Sequence, residues 1–393
     1  MALLGMDRYF EALRLEPDGT TARPGIIGPA ACIEVPEGRA GLMLREPTIE
    51  VAGFEAGGKD IYAGLLQRLM VEQGLEEDRT LLVHPYDFRQ EIGPASEALG
   101  DVLRRAAAES PAGQVDVVAH SMGGLVTRAF LIAHPEDAPL VRQLVTLGTP
   151  YLGTPKAVVG LLAGDNFGIA SNDSAILELS PDLMRRLARD WPGVYTLAPA
   201  AGYFADPERP GWERAYYMET EATAGGATHD VFDHERFQDL VDRRLNASIA
   251  AAVRARHGGG LGDMALLTDR VATHQIIGTD EPTIHTVEHV VGMRCQPGGG
   301  GCLPYAGYRP WLQRAGDGTV TEVSACGTRH LVQDARGRIH KLPGIDHAGL
   351  ARDDAALDAL IAVLRGHDVP GAVVEDCPQT GVGPAPSAVD PML

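Results

Sequence analysis

Apolar and polar positions follow two rhythms along the chain. Residues 115–130, VDVVAHSMGGLVTRAF, run apolar, crowd His-Ser-Met-Gly-Gly into a corner and then turn amphipathic. The first half has the pattern of a buried strand and the second the 3.6-residue spacing of a helix, with Ser121 at the apex between them. Glycine in such a corner permits a bend that a side chain would block. The same alternation surrounds this stretch. DIYAGLLQRLMVEQG (60–74) has helical spacing, an acidic start and a glycine stop. TLLVHPYDFR (80–89) reads as a short strand running into a turn at Pro85, SEALGDVLRRAAAES as a second amphipathic helix, and VRQLVTLGTP (141–150) as another buried strand. Strands alternating with helices predict an α/β fold with a mostly parallel central sheet flanked by helices.

From about residue 151 to 270 the rhythm stops, and glycine and proline are scattered through the stretch. One helix, RFQDLVDRRLNASIAAAVRARHG, interrupts it. The rhythm resumes at THQIIGTDEPT and RIHKLPG, followed by a last helix, DDAALDALIAVLRG. This predicts residues 1–150 as the N-terminal part of the core and 151–270 as a cap or lid inserted before the last two strands. Residues 271–365 then form the C-terminal part of the core, and 366–393, rich in proline and glycine, a flexible tail. KAVVGLLAGDNFGIA (156–170) fits a mobile flap over a pocket and a buried core segment equally well.

Composition narrows the function classes. At 45% hydrophobic and 22% charged residues, the 393-residue chain is an ordinary globular protein. Its 34 basic and 53 acidic residues leave a formal charge of −19. That disfavours nucleic acid, which requires a basic footprint, and anionic membrane surfaces. The N-terminal stretch MALLGMDRYFEALRLEPDG shows no basic region followed by a long apolar run. No apolar stretch approaches the roughly 20 residues of a membrane span. The expectation is a cytoplasmic protein with neither signal peptide nor stable membrane anchor. Its three tryptophans are too few for a wide aromatic belt. Five cysteines exclude a fully paired disulfide framework. Cys295 and Cys302 flank QPGGGG and stand either as a small loop closure or, as a cytoplasmic location favours, as two free thiols. Oligomeric state is not legible.

A serine hydroxyl needs an imidazole to take its proton and a carboxylate to hold that imidazole. The corner Ala119-His120-Ser121-Met122-Gly123 departs from the Gly-x-Ser-x-Gly elbow only in its first residue, where a small side chain suffices. An N-cap serine opening a helix is the bland alternative. In chain order the acid comes next. Asp317, in RAGDGTVTEVSA between two glycines, is preferred over Asp280 in GTDEPT. The base should precede the last helix, where His347 stands in IDHAGLARD; His340, inside the strand, and His330, before it, fit less well.

Several motifs together resemble the lecithin:cholesterol acyltransferase family of α/β-hydrolases. HPYDFR (84–89) is similar to that family's Phe-Pro-Tyr-Asp-Trp-Arg, with Phe88 in place of Trp. AHSMGGLVTRAFL (119–131) is similar to its nucleophile segment, and TLGTPYLGTPKA (146–157) to the strand and turn leading into its lid. VYTLAP, IIGTDEPT, GDGTV and DHAGLARD follow in family order, so the resemblance spans about residues 45 to 365. It implies an α/β-hydrolase fold with Ser121 as nucleophile, Asp317 as acid and His347 as base. His120, Tyr86 and Tyr151 are then candidates for substrate contact, and Tyr86, Asp87 and Arg89 line the acyl pocket or brace a buried turn. The oxyanion would rest on the Met122 amide and a second donor. RPGIIGPAAC (23–32) only partly resembles the family's oxyanion turn and lacks a preceding strand, so Gly53 or Phe54 in VAGFEAGGKD is favoured.

The expected activity is hydrolysis of a small or lipid-like carboxylic ester or lactone through an acyl-enzyme, with no cofactor. One alternative is an O-acyltransferase, in which an alcohol replaces water. Another is a catalytically silent binding protein of the same fold. A third, metal-dependent hydrolysis, would draw on THDVFDHER (228–236) with His229, Asp230, Asp233 and His234. The bland account of that cluster is an acidic first turn of the next helix, and no metal site is expected.

Overall fold

Four apolar runs line up side by side as parallel strands. In the computed structural model, residues 14–19, 49–51, 54–56, 61–165, 181–204, 217–223, 226–257, 270–295, 302–327, 337–369 and 387–388 are described. A two-residue step separates β1 (Ile49–Val51) from β2 (Phe54–Ala56), and the two pair antiparallel. The central sheet has the order β10–β7–β4–β3, from β3 (Val115–His120), β4 (Val141–Leu147), β7 (Ala272–Thr279) and β10 (Gly337–Pro343). All three of its pairings are parallel. Parallel strands are covered on both faces, which is why β4 is buried almost throughout, Arg142 alone being exposed, rather than alternating.

Helices supply both covers. On one face α2 (Ile92–Glu109) and α3 (Met122–Ala133) bury Leu99, Leu103, Leu125 and Phe130 against Val117 and Leu144. The two helices approach so closely that a methyl group on Gly100 would lie 2.3 Å from the Phe130 ring. On the other face α1 (Ala63–Gln67, continued by a π turn over Arg68–Glu72) and α11 (Asp354–Leu364) bury Leu65, Leu69, Leu357 and Leu360 against Val145, Leu147 and Ile276. The result is the predicted three-layer arrangement, with a parallel sheet between helices. Register sets the strand ends in two pairs: β3 and β4 end together at His120 and Leu147, opposite Ile276, and β7 and β10 end together three residues further on, at Thr279 and Pro343. The loops leaving β3, β4, β7 and β10 therefore open on one edge, where ligands of such sheets bind.

The stretch that breaks the rhythm is not irregular. It carries α4 (Pro155–Leu162), α5 (Pro181–Ala188), α6 (Pro192–Thr196) and α7 (Ala201–Phe204), then β5 (Tyr217–Thr223) and β6 (Gly226–Val231). The single helix expected after them is two, α8 (His234–Arg244) and α9 (Ala247–His257). Asn246 divides them, its side-chain oxygen accepting from the Ile249 amide at 3.3 Å as a helix cap does. Of the proposed flap, residues 157–162 are buried core, Lys156 is partly buried, and 166–170 lie outside the described residues.

A second, five-stranded sheet, in the order β11–β9–β8–β5–β6, joins this insertion to a long hairpin, β8 (Pro282–Cys295) and β9 (Cys302–Arg314). The hairpin falls inside the span 271–365 expected for the core, yet it pairs with β5 rather than with the central sheet. Trp191, Tyr203, Tyr217, Phe237, Leu240 and Ile249 are buried in one cluster with Leu161 and Val287. Ser387–Ala388 of the expected tail form β11, paired antiparallel with Leu312 and Trp311. Residues 370–386 and 389–393 lie outside the described residues.

Two further expectations change. Residues 80–89 form no strand: Leu81 makes one isolated bridge to Glu77, and the segment beyond is held by side chains, with His84 Nε2 2.9 Å from the Ala95 carbonyl. Cys326, buried at the end of α10 (Glu322–Cys326), is disulfide-bonded. Cys295 and Cys302 stand opposite each other in the β8–β9 ladder. Among the described residues no helix is long and apolar enough to cross a membrane.

His274 on β7 and His340 on β10 share a hydrogen bond of 3.2 Å with their rings stacked. Burial, then His274 and Arg338, push the His340 imidazole down to about 4, against about 6.5 in an unfolded chain. The unfolded state then binds more protons than the folded one in the window between, so stability rises with pH there. The group's contribution is complete above about pH 6.5 and fades as pH falls towards 4. The melting temperature should drop across that window, and His340→Gln should flatten the drop; equal pH dependence in wild type and variant would contradict this.

Candidate active site

Ser121 sits where β3 gives way to α3, with φ 54° and ψ −129°, a conformation side chains rarely adopt. Three main-chain hydrogen bonds hold it there. Its amide donates to the Leu147 carbonyl at 2.8 Å, and its own carbonyl accepts from the Gly124 amide at 3.1 Å and the Thr149 hydroxyl at 2.9 Å. Gly124 makes the last of these possible, because a Cβ there would lie 2.1 Å from Thr149 Oγ1. At the other end of the motif a Cβ on Gly123 would stand 3.9 Å from the Ala119 methyl. Ordinary contact of that kind explains why alanine is accepted where glycine is usual.

Asp317 follows β9, in a turn between Gly316 and Gly318, and is 2% exposed. Its Oδ1 accepts from the amides of Thr319 and Val320 at 3.0 and 2.7 Å. That leaves Oδ2 for His347 Nδ1, at 2.7 Å. His347 stands between β10 and the 3-10 turn Gly349–Ala351, with Nε2 2.8 Å from Ser121 Oγ. The structure thus brings Ser121, His347 and Asp317 into one hydrogen-bonded line. The carboxylate accepts from Nδ1–H, which leaves Nε2 unprotonated to accept from the hydroxyl. Groups linked in that order can move a proton from hydroxyl to imidazole while the carboxylate steadies the ring. Asp280, the rival acid, is exposed at φ 65° and accepts from Arg314 through its carbonyl.

Comparison with known proteins agrees with this geometry. The profile of the lecithin:cholesterol acyltransferase family matches residues 48–234. A bovine lysosomal phospholipase A and acyltransferase is 26% identical over 314 residues, covering 78% of this chain and 68% of that one. Over these spans the chain is similar to the lecithin:cholesterol acyltransferase-like α/β-hydrolases. The human phosphatidylcholine-sterol acyltransferase is 30% identical over 140 residues, 33% of this chain, and the match spans only 31% of the human protein's length. Among solved structures, the chain is similar to one in the Tle4-Tli4 complex at a TM-score of 0.46 and 17% identity, covering 70% of this chain and 65% of that one. That likeness is too slight to build on.

The remaining expected residues divide sharply. Met122 opens α3, so its amide is one of the unpaired donors at a helix N-terminus. Gly53 lies outside the described residues, and Phe54 begins β2, paired with Val51. Tyr86 stands beside the elbow, its hydroxyl 3.9 Å from where a Cβ on Gly123 would be. Asp87 and Arg89 form a bidentate ion pair, with Arg89 Nε and Nη2 at 2.9 and 2.7 Å from the carboxylate. They brace the turn, and the Arg89 carbonyl accepts from the Gly193 amide of α6.

Two expected substrate contacts are engaged within the protein itself. Tyr151 is 1% exposed and packs in the core with Leu125 and Leu144. His120 has both ring nitrogens engaged, Nδ1 with the Tyr62 hydroxyl and Nε2 with the His347 carbonyl, each at 2.9 Å. Tyr62 was not singled out in the sequence, since it lies 58 residues from its partner.

The cluster at 228–236 is not gathered into a metal site. His229 Nδ1 meets the Thr220 hydroxyl, Asp230 pairs with Arg236, Asp233 caps α8, and His234 lies beside Gln238. Among the described residues the group that comes closest to metal spacing is His134, Glu136 and Asp137 on the surface. Glu97 approaches that histidine and Arg104 that aspartate.

Gly148, at φ 58°, offers a direct test of how tightly the site is built. A Cβ there would lie 2.9 Å from Asp317 Oδ2 and 3.1 Å from His347 Nδ1. Gly148→Ala should slow modification of Ser121 by a fluorophosphonate roughly 10²-fold with the circular dichroism spectrum unchanged. An unaltered rate would show that the imidazole and carboxylate do not depend on this spacing.

Proposed function

We propose that the protein is a serine-dependent lipid-ester hydrolase that also transfers acyl groups. The observation that carries this reading is the unbroken line from Asp317 through His347 to a hydroxyl held at positive φ. Ser121 Oγ attacks the ester carbonyl as His347 Nε2 takes its proton, and Asp317 supports the imidazolium so formed. The negative charge on the carbonyl oxygen is met by the Met122 amide and by a second donor, assigned to Gly53 or Phe54. Collapse expels the alcohol, which takes the proton back from His347, and leaves an ester on Ser121. Water or a second alcohol then attacks, giving up its proton to His347; collapse breaks the bond to Ser121 Oγ, which takes that proton back from His347 as the acid or a new ester leaves.

A lipid-like substrate is supported by the names of the relatives, a phospholipase A and acyltransferase and a phosphatidylcholine-sterol acyltransferase. Water and alcohol compete for the same acyl-enzyme, so hydrolysis and transfer are two outcomes of one site. The disulfide at Cys326 favours an oxidising compartment over the cytoplasmic location expected from the sequence.

Fluorophosphonate labelling with mass mapping tests the nucleophile. Labelling is expected at Ser121 and lost in Ser121→Ala, whose turnover on p-nitrophenyl esters should fall about 10⁴- to 10⁶-fold. Activity should persist in excess EDTA. Adding a long-chain alcohol should divert part of the acyl group into a new ester. A folded sample that takes up ligand without labelling would identify a silent binding protein and end the proposal.

A further inference from the structure

The reacting imidazole is held by more than its own two hydrogen bonds. Its main chain is tied on both sides. The His347 amide donates to the Asp317 carbonyl at 2.8 Å, and the His347 carbonyl accepts from His120 Nε2 at 2.9 Å. His120 is the residue immediately before Ser121 and ends β3. The second bond therefore fastens the base to the strand that carries the nucleophile. Beyond His120 lies Tyr62, which precedes α1 and packs on the hydrophobic cluster of that face.

We propose that Tyr62 and His120 form a positioning relay that clamps the main chain of His347, so that its ring meets Ser121 and Asp317 together. The inference rests on the reading of those three residues as the reacting groups. The direction of each bond follows from the chemistry of the partners. A carbonyl can only accept, so His120 Nε2 must carry the proton. Nδ1 is then the unprotonated nitrogen and accepts from the Tyr62 hydroxyl. Tyr62 selects the tautomer that the clamp requires.

Two electrostatic facts keep the relay in that state. Burial and the neighbouring His347 ring hold the His120 imidazole down at about 3, so it stays neutral. Burial pushes the Tyr62 hydroxyl up to about 12, so it keeps the proton it donates. The His120 and His347 rings also pack with centroids 4.8 Å apart. A neutral imidazole in that place does not repel the imidazolium that forms during turnover, as a cationic side chain would. His120 touches neither the hydroxyl nor a substrate carbonyl in this arrangement; it acts through His347.

The test compares His120→Leu, His120→Gln, Tyr62→Phe and the double variant Tyr62→Phe/His120→Leu. Readouts are kinetics on a water-soluble p-nitrophenyl ester and the low-field proton resonance of the His347–Asp317 hydrogen bond. His120→Leu should lower kcat about 10- to 100-fold with KM within about twofold. His120→Gln, whose amide N–H reaches the same carbonyl, should keep most of the activity. Tyr62→Phe should give a smaller loss, and none beyond His120→Leu in the double variant. The low-field resonance should broaden in His120→Leu and persist in His120→Gln. Unchanged kcat in a folded His120→Leu sample overturns the clamp, and so does equal loss in the Leu and Gln variants, which would indicate packing alone. A rise in KM with kcat intact would make His120 a substrate contact instead. If His120→Leu fails to fold, Tyr62→Phe carries the test alone, and unaltered kcat and resonance there overturn the proposal. Should wild type not label at Ser121, the esterase reading fails on its own, and the resonance still decides whether the clamp exists.

Discussion

One hydrogen bond, 2.8 Å from His347 Nε2 to Ser121 Oγ, joins residues 226 positions apart, and the rest of the architecture serves to hold it. Parallel pairing makes it possible. Because β3, β4, β7 and β10 run the same way, the loops that follow them meet on one edge. Ser121 leaves the end of β3, Gly148 the end of β4, and His347 the loop after β10. The strained elbow is the local cost of aiming a hydroxyl outward from that edge, and the main-chain bonds to Leu147, Gly124 and Thr149 hold the strain in place.

The carboxylate reaches this edge from elsewhere. Asp317 follows β9, a strand of the second sheet, so the acid is delivered by the hairpin rather than by the central sheet. Two hydrogen bonds stitch its turn to the start of that hairpin: the Glu281 amide to the Gly316 carbonyl at 3.0 Å, and the Gly318 amide to Thr283 Oγ1 at 2.8 Å. The Lys341–Glu322 ion pair, at 2.7 Å and largely buried, fastens α10 just beyond the turn to β10. The second sheet and the reacting line are therefore mechanically continuous, and a displacement of the hairpin base would be felt at the imidazole.

What the sequence displayed was what local physics governs. The elbow was legible because strand, corner and helix are contiguous, and Asp317 and His347 because chain order and turn chemistry mark them. The resemblance to the lecithin:cholesterol acyltransferase family was legible from the same segments. The second sheet was not. β5 joins β8 across about 70 residues of chain, Tyr217 standing opposite Val287, and β5 and β6 carry polar residues such as Glu219, Glu221, Thr228 and His229 that mask the two-residue period. Asn246 hid as an ordinary helical residue until its capping bond divided α8 from α9. Proximity to the nucleophile in sequence says nothing about which way a ring points or whether its nitrogens are already taken, so neither the burial of Tyr151 nor the two bonds of His120 was legible.

The account turns on Ser121 reacting while His347 and the Met122 amide remain in place, and a crystal structure of a long-chain phosphonate adduct examines this most directly. Electron density should run from Ser121 Oγ to phosphorus, with the phosphoryl oxygen about 3 Å from the Met122 amide and His347 still bonded to Asp317. Phosphorus on another residue, or an adduct whose oxygen points away from α3, would contradict it.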